Sequence, residues 1–220
     1  MILNQSTIGL QDEASRELEV EALTQGTRIL RRFRHPYVLF SGGRDSLVAL
    51  HITKRVCDRL AVDAKAIHID TTIETPGNLQ YVREVCRSLH TKLVLLKPRM
   101  SYVEMVRRWG FPTMSRRWCK WRLKIRPTRR FIRSLSLEDV ILVDGLRSSE
   151  SWIRQRMANH RRIADGLTYH EALKCLVFHP VYKWSLDAIL GYIETHNLYE
   201  NPLYRDFGKA FDCWCTVYKS

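Results

Sequence analysis

A short glycine-rich stretch between two apolar segments has the residue types of a phosphate-binding loop. It reads Ser41-Gly42-Gly43-Arg44-Asp45-Ser46. Two adjacent glycines permit backbone conformations that other residues resist, so successive N–H groups can converge on one point. A helix that begins at the loop adds partial positive charge, and the two serines add hydroxyl donors. The stretch therefore predicts a phosphate site, although an ordinary Gly-Gly turn with Ser46 near a helix cap would use the same residues.

Two carboxylates and two lysines could act beside this loop. Asp70 could accept hydrogen bonds from a ribose or hold Mg²⁺ on phosphates, or it could cap a helix. Asp45 could order the loop or complement the dipole of the helix that follows. Lys120 and Lys124 lie one helical turn apart, and two cations on one face repel each other unless an anion lies between them. This pair therefore favours a phosphate or sulfate contact over a solvated face.

The pattern of the chain predicts an α/β fold with a doubly wound, mainly parallel five-stranded sheet. Buried strands are predicted at residues 37–40, 64–70, 92–96 and 140–143, with helices between them. A helix over residues 11–34 precedes them, and helices capped by Ser101 and Ser185 follow later. Ligands of such sheets bind at the carboxyl ends of the strands, so the segments at Ser41, Asp70 and Gly145 should share one crevice.

The second distinctive segment, residues 114–127, is rich in tryptophan and basic residues. Its apolar positions recur every three or four residues, which predicts that they face a core: Trp118, Trp121, Ile125, Ile132 and Leu135. Pro127 lacks an N–H donor and disfavours helical geometry at the residue before it. We therefore expect Pro127 to divide this segment into two helices.

Length and composition indicate one domain with appendages: an N-terminal helical extension (1–35), a nucleotide-binding part (36–180) and a C-terminal extension that packs on the site (181–220). The chain has 220 residues, 45% of them hydrophobic. No apolar run is long enough for a membrane span and no signal-peptide pattern is present, so we expect a cytoplasmic protein without membrane contact. The net charge of +13 favours polyanionic partners such as DNA or RNA, although a solvated basic surface is an alternative. The N-terminal helix could dock a second subunit in a homodimer.

Several motifs in the same order resemble the signatures of the phosphoadenosine phosphosulfate (PAPS) reductase family over residues 36–215. They are SGGRDS, RWCxxxLKxxP at residues 117–127, GxRxxES..R at residues 145–154, and segments at residues 179–193 and 201–204. The resemblance implies an adenine nucleotide alpha-hydrolase-like fold with the glycine loop on phosphates. It further implies that Asp70 lies near the nucleotide and that Lys124, Arg147 and Arg154 contact anionic groups. Together with Thr71, Lys120 and Gly145, these are the expected nucleotide- and phosphate-binding residues. Asp45, Lys124 and Arg147 are the expected catalytic residues.

The cysteines separate the branches of this family. An assimilatory reductase normally carries an ECGxH tail, whereas this chain ends without it, at Asp212-Cys213-Trp214-Cys215-Thr216-Val217-Tyr218-Lys219-Ser220. By resemblance, Cys119 with Cys213 and Cys215 could hold an iron–sulfur cluster such as [4Fe–4S] or contribute to a zinc site, with His179 as a less favoured fourth ligand. Buried structural thiols are the alternative, and they are the expectation for Cys57, Cys86 and Cys175.

Three functions are compatible with these motifs. The first is ATP pyrophosphatase chemistry, in which ATP with Mg²⁺ adenylates an acceptor and releases pyrophosphate; a sulfur donor protein and a nucleic-acid acceptor are the expected partners. The RWC motif also resembles this branch, which includes the phosphorothioation-type ATP pyrophosphatases. The second is reduction of PAPS or adenylylsulfate to sulfite, for which Cys213 or Cys215 would have to supply the thiolate. The third is a nucleotide- or nucleic-acid-binding module without catalysis, and Arg156, Arg161 and Arg162 could extend its anion-binding face or be solvated.

Overall fold

The core of the protein is a six-stranded sheet. The computed structural model describes residues 5–208, apart from residues 114, 136 and 151–164. The strands are β1 (His35–Leu39), β2 (Lys65–Ile69), β3 (Lys92–Leu96), β4 (Val140–Val143), β5 (Leu167–His170) and β6 (Cys175–Phe178). Their order in the sheet is β3-β2-β1-β4-β6-β5, and all neighbours are parallel except β5 and β6. The predicted α/β class and mainly parallel sheet are therefore confirmed.

The prediction of five strands was wrong by one. Five strands form the parallel part of the sheet, and β5 adds an antiparallel edge strand paired to β6, with Leu167 opposite Phe178. A parallel strand covered on both faces has a continuous apolar sequence, which identifies β4. The edge strand β5 is half-buried and contains Thr168 and His170, so it lacks that signal.

Helices cover both faces of the sheet. They are α1 (Gln5–Leu30), α2 (Arg44–Arg59), α3 (Asn78–Ser88), α4 (Tyr102–Trp109), a π-helix (Lys120–Ile125), α5 (Arg126–Ile132), α6 (Leu186–Thr195) and α7 (Leu203–Phe207). Helices α1, α2, α3 and α6 share one apolar core with the sheet, and α5 contributes to the core on the other face. The predicted caps are confirmed, because Ser101 and Glu104 form a capping box and the Ser185 hydroxyl accepts from the Ala188 N–H.

The segment around Pro127 departs from its prediction in two ways. The π-helix runs directly into α5, because Pro127 lies in the first turn of α5, where a missing N–H costs little. Trp121 was predicted to face the core but is 43% exposed. The π-helix has more residues per turn than an α-helix, so a spacing of three or four does not keep Trp121 on the buried side. Cys119 and Leu123 occupy that side.

The topology positions a crevice at the centre of the sheet. From β1 the chain proceeds outward through β2 to β3, and it then returns to place β4 on the other side of β1. Parallel sheets bind ligands where the strand order reverses in this way. The loops that leave β1 and β4 are the glycine loop and the segment from Asp144 to Arg147. No helix in the described part of the chain is long and apolar enough to cross a membrane.

A half-buried polar cluster joins α1, α2 and α6. The Arg55 guanidinium pairs with Glu19 and donates to the Tyr192 hydroxyl at 3.1 Å. The Tyr192 hydroxyl also contacts His51 Nδ1 at 2.9 Å, and His196 Nε2 lies 3.0 Å from Glu19. Burial, followed by the charges of His196 and Arg55, lowers the pKa of His51 to about 4.

The lowered pKa of His51 predicts a loss of stability in mild acid. An unfolded chain protonates this histidine near its ordinary pKa of 6.5, whereas the folded protein does so only near pH 4. The contribution of His51 to stability is therefore complete above pH 6.5 and decreases as the pH falls from 6.5 to 4. We expect the melting temperature of the wild type to fall more between pH 7 and pH 5 than that of His51→Gln, which does not titrate there. Identical pH profiles would contradict this assignment.

Candidate functional site

The glycine loop has a backbone geometry that only glycine tolerates at its centre. Gly42 has φ +91°, and a Cβ there would lie 2.3 Å from Asn78 Oδ1. The Ser46 hydroxyl donates to the Gly43 carbonyl at 2.8 Å and lies 3.2 Å from the Ser41 hydroxyl. Gly43 is the N-cap residue of α2 and makes no side-chain cap bond. The Tyr204 hydroxyl accepts from the Arg44 N–H at 3.1 Å, so one N–H group at the start of the helix is already bound by a side chain. An anion at this helix start would use the neighbouring N–H groups of the loop.

Two buried asparagine side chains form hydrogen bonds to the backbone of the glycine loop and to each other. Asn201 Nδ2 donates to the Gly42 carbonyl at 3.0 Å and to Asn78 Oδ1 at 2.9 Å. Asn78 Nδ2 donates in turn to the Ser41 carbonyl at 3.1 Å and to the Glu74 carboxylate at 3.0 Å. Both asparagines are almost fully buried. These contacts fix the carbonyls of Ser41 and Gly42.

Because of this network, substitutions of Asn201 should lower the stability of the protein. We expect Asn201→Ala to cost about 1–3 kcal/mol of stability, because it leaves the Gly42 carbonyl and Asn78 Oδ1 without a donor. Asn201→Asp should cost more, because its carboxylate would face the same two acceptors with no donor of its own. Chemical denaturation of the two variants measures this difference. Equal stability of Asn201→Asp and the wild type would show that the network does not hold the loop.

The segment after β4 packs directly on the glycine loop. A Cβ on Gly145 would lie 2.5 Å from the Asp45 carbonyl carbon and 2.6 Å from Ser46 N, both backbone atoms. Two residues later, Arg147 Nε donates to Asp45 Oδ1 at 2.8 Å, and Arg147 Nη1 donates to the Ser149 hydroxyl at 3.0 Å. The Arg147 side chain is only 8% exposed. Asp45 and Arg147, both predicted as catalytic, are therefore bound to each other.

The end of β2 carries an ordered carboxylate. Asp70 accepts from the Thr72 N–H at 2.8 Å and pairs with Lys97 at 2.8 Å. Burial opposes ionisation of Asp70, but the hydrogen bonds from Lys97 and Thr72 outweigh it, so the pKa of this carboxyl is lowered. Thr72 has φ +62°, and its hydroxyl accepts from the Tyr102 N–H at 2.8 Å. A threonine in this conformation is held by its surroundings, a condition common at ligand sites.

A cavity of about 230 Å³ opens beside the loop. Its floor is apolar and combines strand residues with residues of the π-helix and of the segment from β5 to β6: Leu39, Ile67, Ile69, Ile125, Leu173 and Val177. Its polar residues include Ser41, Lys120, Lys124 and Asp144. The cavity is smaller than the roughly 300–1,000 Å³ of sites for drug-sized ligands, so it suits a base and sugar rather than a whole triphosphate. The structure therefore brings the two lysines, Ser41 of the loop and an apolar space together.

The other residues predicted for the site do not line the cavity or lie outside the described part of the chain. The Arg44 guanidinium pairs with Glu200 and lies 3.9 Å from the ring centroid of Tyr204, so it faces the C-terminal segment. Thr71 is fully buried. Arg154, Cys213 and Cys215 lie outside the described residues, as do Arg156, Arg161 and Arg162.

The described cysteines are all buried. Burial raises the thiol pKa of Cys57 and Cys86 to about 12 and that of Cys175 to about 11. Cys119 packs among apolar residues that include Tyr102 and Leu123. Within the described ranges, no group of three or more His, Cys, Asp or Glu side chains is placed to hold a metal. The set of Cys119 with two C-terminal cysteines stays a prediction.

Sequence reasoning missed two polar contributors to the site, Asp144 and His68. Asp144 accepts from the Leu146 N–H at 3.0 Å and binds His179 Nδ1, while His179 Nε2 contacts the Thr168 hydroxyl at 2.8 Å. Both ring nitrogens of His179 are therefore occupied, as in a structural histidine. The His68 ring contacts the Phe40 carbonyl at 2.8 Å and Glu74 at 2.9 Å. The position of Asp144 at the end of a buried strand was the signal that could have identified it.

The structure is a doubly wound α/β fold with a glycine loop at the start of α2, where the strand order reverses. A family model described as the phosphoadenosine phosphosulfate reductase domain matches residues 35–214. The chain belongs to this family.

Two uncharacterized proteins of Methanocaldococcus jannaschii are similar to the chain. MJ0066 is 31% identical over 175 residues, which cover 80% of this chain and 34% of that protein. MJ0973 is 26% identical over 175 residues, which cover 80% of this chain and 39% of that protein. The chain therefore spans little more than a third of the length of these relatives.

Solved structures with low sequence identity share the fold. A PAPS reductase from Candida auris in a phosphate complex superposes with a TM-score of 0.65 at 20% identity, covering 97% of both chains. The U34-tRNA thiolase NcsA of Methanococcus maripaludis, with its [4Fe–4S] cluster, gives 0.63 at 14% identity over 84% of this chain and 65% of that one. An FMN adenylyltransferase of Candida glabrata with FMN and an ATP analogue gives 0.63 at 14% identity over 93% and 64%.

Proposed function

We propose that the protein binds ATP and cleaves it between the α- and β-phosphates, adenylating an acceptor that then receives sulfur. The observation that carries the proposal is the continuity of the apolar cavity with the glycine loop at Ser41. An apolar space suits adenine, and the start of α2 suits the phosphates beyond it. The site thus has the form that a nucleotide with a base at one end and a polyphosphate at the other would fill.

The residues of the site would act by positioning and by neutralising charge. The acceptor nucleophile forms a bond to the α-phosphorus while the bond to the bridging oxygen breaks, and pyrophosphate leaves with that electron pair. Backbone N–H groups of the loop, with Lys120 and Lys124 in the cavity, would stabilise the charge that develops on pyrophosphate. The pair of Asp45 and Arg147 would fix the loop, because each side chain orients the other. No protein nucleophile is needed for this transfer.

Mg²⁺ would accompany the triphosphate. It is usually held by one or two carboxylates together with phosphate oxygens, and it neutralises the charge of the leaving group. Asp144, which lines the cavity, and Asp70, ionised by its hydrogen bonds, are the carboxylates that fit this role. Both are oriented by backbone N–H donors, from Leu146 and Thr72.

Two proteins with similar structures support the adenylation and sulfur-transfer parts of the proposal. The Candida glabrata enzyme is an adenylyltransferase solved with an ATP analogue, and the Methanococcus maripaludis enzyme is a thiolase with an iron–sulfur cluster. In this chain we propose that Cys119, Cys213 and Cys215 hold such a cluster or Zn²⁺. Anaerobic purification followed by an absorption spectrum and metal analysis checks this, with Cys119→Ser as the variant expected to lose the metal.

Product analysis tests the proposed reaction. Incubation of the protein with ATP and Mg²⁺, with and without candidate acceptors, should give AMP and pyrophosphate. Lys124→Gln should reduce this activity, whereas Lys92→Gln, on the exposed side of β3, should not. Formation of ADP and phosphate would contradict the mechanism, and intact ATP in the presence of acceptors would favour a module that binds without catalysis.

Reduction of a sulfonucleotide is the second candidate, favoured by the family and by the PAPS reductase among the neighbours. This reaction needs an accessible thiolate of low pKa. The pKa values of three buried thiols in the described chain are raised instead, so Cys213 or Cys215 would have to react. Sulfite release from PAPS or adenylylsulfate with thioredoxin, lost in Cys213→Ser or Cys215→Ser, would establish this function.

A further inference from the structure

An arginine-rich groove lies on a different face of the π-helix from the nucleotide cavity. Lys120, Lys124 and Ile125 line the cavity, whereas Trp121 and Arg122 line the groove. The groove is large, about 740 Å³, and continues along α5. Six arginines contribute to its surface: Arg99, Arg122, Arg126, Arg129, Arg130 and Arg133. One helical segment thus separates the candidate nucleotide site from a second, strongly basic concavity.

The charge of this groove is not balanced locally. None of its lining residues is acidic. In the part of the chain that the structure describes, none of the six arginines forms an ion pair with a carboxylate. Arg126 and Arg130 are one turn apart on α5, and Arg129 has the same spacing from Arg133, the C-cap residue of that helix. Like charges at this spacing destabilise a helix, so the arrangement favours a polyanion that spans several arginines at once.

An exposed aromatic side chain accompanies these arginines. Trp121 is 43% exposed and lines the groove. Next to it in sequence, the Arg122 guanidinium lies 3.7 Å from the ring centroid of Trp109, which orients that cation. An indole face among arginines is the combination that binds single strands, because phosphates pair with the cations and an unpaired base stacks on the ring. A duplex hides its base faces, and a sulfated polysaccharide has none.

We propose that this groove binds single-stranded nucleic acid, with the backbone phosphates on the arginines and a base stacked on Trp121. The binding rests on the groove alone and requires no ATP. That the bound strand is also the acceptor for adenylation rests on the proposed function. The π-helix would then contact the nucleotide through its lysines and the acceptor strand through Trp121.

Fluorescence anisotropy with labelled single-stranded RNA and DNA of about 16 nucleotides, the upper end of single-strand site sizes, tests the binding. The test variant is Arg126→Gln/Arg130→Gln/Arg133→Gln. The control, Arg31→Gln/Arg83→Gln/Arg87→Gln, removes the same charge at exposed positions on other elements. We expect the test variant to lose at least tenfold in affinity and to reduce the slope of log K against log salt by about 2, since each phosphate contact contributes about 0.7. The control should retain affinity within about threefold. Equal losses in both variants would overturn the proposal.

Trp121 variants separate base stacking from charge. Trp121→Ala should weaken single-strand binding about tenfold, Trp121→Phe should retain most of it, and heparin binding should be the same in both. An equal effect of Trp121→Ala on heparin, or tighter binding of duplex than of single strand, would refute the stacked base. A preference for RNA over DNA would identify RNA as the natural ligand, and equal affinities would indicate that the 2′-hydroxyl is not contacted.

The acceptor role is tested separately, by measuring AMP formation. Single-stranded RNA or DNA should stimulate AMP formation by the wild type and much less by the test variant. Binding without stimulation would remove the acceptor role and leave the groove as a binding site. AMP formation without any strand binding would leave the proposed reaction intact and refute the groove.

Discussion

Gly145→Ala should abolish most nucleotide binding while the protein still folds. A Cβ at this position would lie 2.5 Å from the Asp45 carbonyl carbon and 2.6 Å from Ser46 N, closer than such contacts occur. Both are backbone atoms of the glycine loop and the start of α2, so the loop must move. We expect a loss of about 1–3 kcal/mol in the free energy of unfolding from overpacking. Displacement of the phosphate donors by a few tenths of an ångström to 1 Å should reduce kcat/KM by about 100-fold.

Gly191→Ala is the matched control for this substitution. Gly191 lies in α6, and a Cβ there meets nothing within 4 Å. Alanine is the better helix former, so this variant should be more stable by about 0.5–1 kcal/mol with unchanged ATP binding. Isothermal titration with ATP and chemical denaturation of both variants measure the contrast. Normal ATP affinity in Gly145→Ala would mean that the loop is not the phosphate site.

Loss of the ion pair between Asp45 and Arg147 should have the second large effect on stability and ATP turnover. Arg147→Met removes the guanidinium that donates to Asp45 at 2.8 Å and leaves that carboxylate without its partner beside the loop. Loss of one member of a buried pair costs 3–5 kcal/mol, and we expect about 3 kcal/mol because the Asp45 side chain is 23% exposed. ATP turnover should fall as well, since an unpaired carboxylate would repel the phosphates.

A double-mutant cycle distinguishes this pairing from separate effects of the two side chains. Asp45→Asn/Arg147→Met removes both charges, so it should be more stable than the sum of the two single losses predicts, by about 0.5–3 kcal/mol. Denaturant unfolding of the four proteins gives the coupling energy. Strict additivity would show that the contact between Asp45 and Arg147 does not stabilise the fold.

The sequence predicted the parts of the fold that depend on local patterns. The strands β3 and β4 lie where expected, because both are apolar runs; β4 is buried on both faces, whereas β3 is a partly exposed edge strand. The grouping of three loops at the carboxyl ends of strands followed from parallel topology alone. By contrast, no strand was predicted at β5 or β6. The edge strand β5 is half polar, and Trp121 was placed in the core because the spacing assumed an α-helix.

Candidate site residues could be predicted from the sequence where the residue type and spacing themselves indicate the chemistry. They could not be predicted where the contacts join segments that are distant in the sequence. The glycine loop and the lysines could be identified from residue type and spacing. The support from Asn78 and Asn201 could not, because the amides that hold Gly42 come from positions far along the chain. Arg147 was expected to contact an anion, and in the structure its Nε donates to Asp45. Such pairings depend on tertiary packing, which single residues do not encode.

A crystal structure with an ATP analogue that cannot be cleaved between the α- and β-phosphates tests the central claim most directly. The account predicts the adenine in the apolar cavity between Leu39 and Val177, and the phosphates at the glycine loop, residues 41–46. Lys120 and Lys124 should contact phosphate oxygens. Adenine bound elsewhere, or phosphates in the arginine-rich groove with an empty glycine loop, would contradict it.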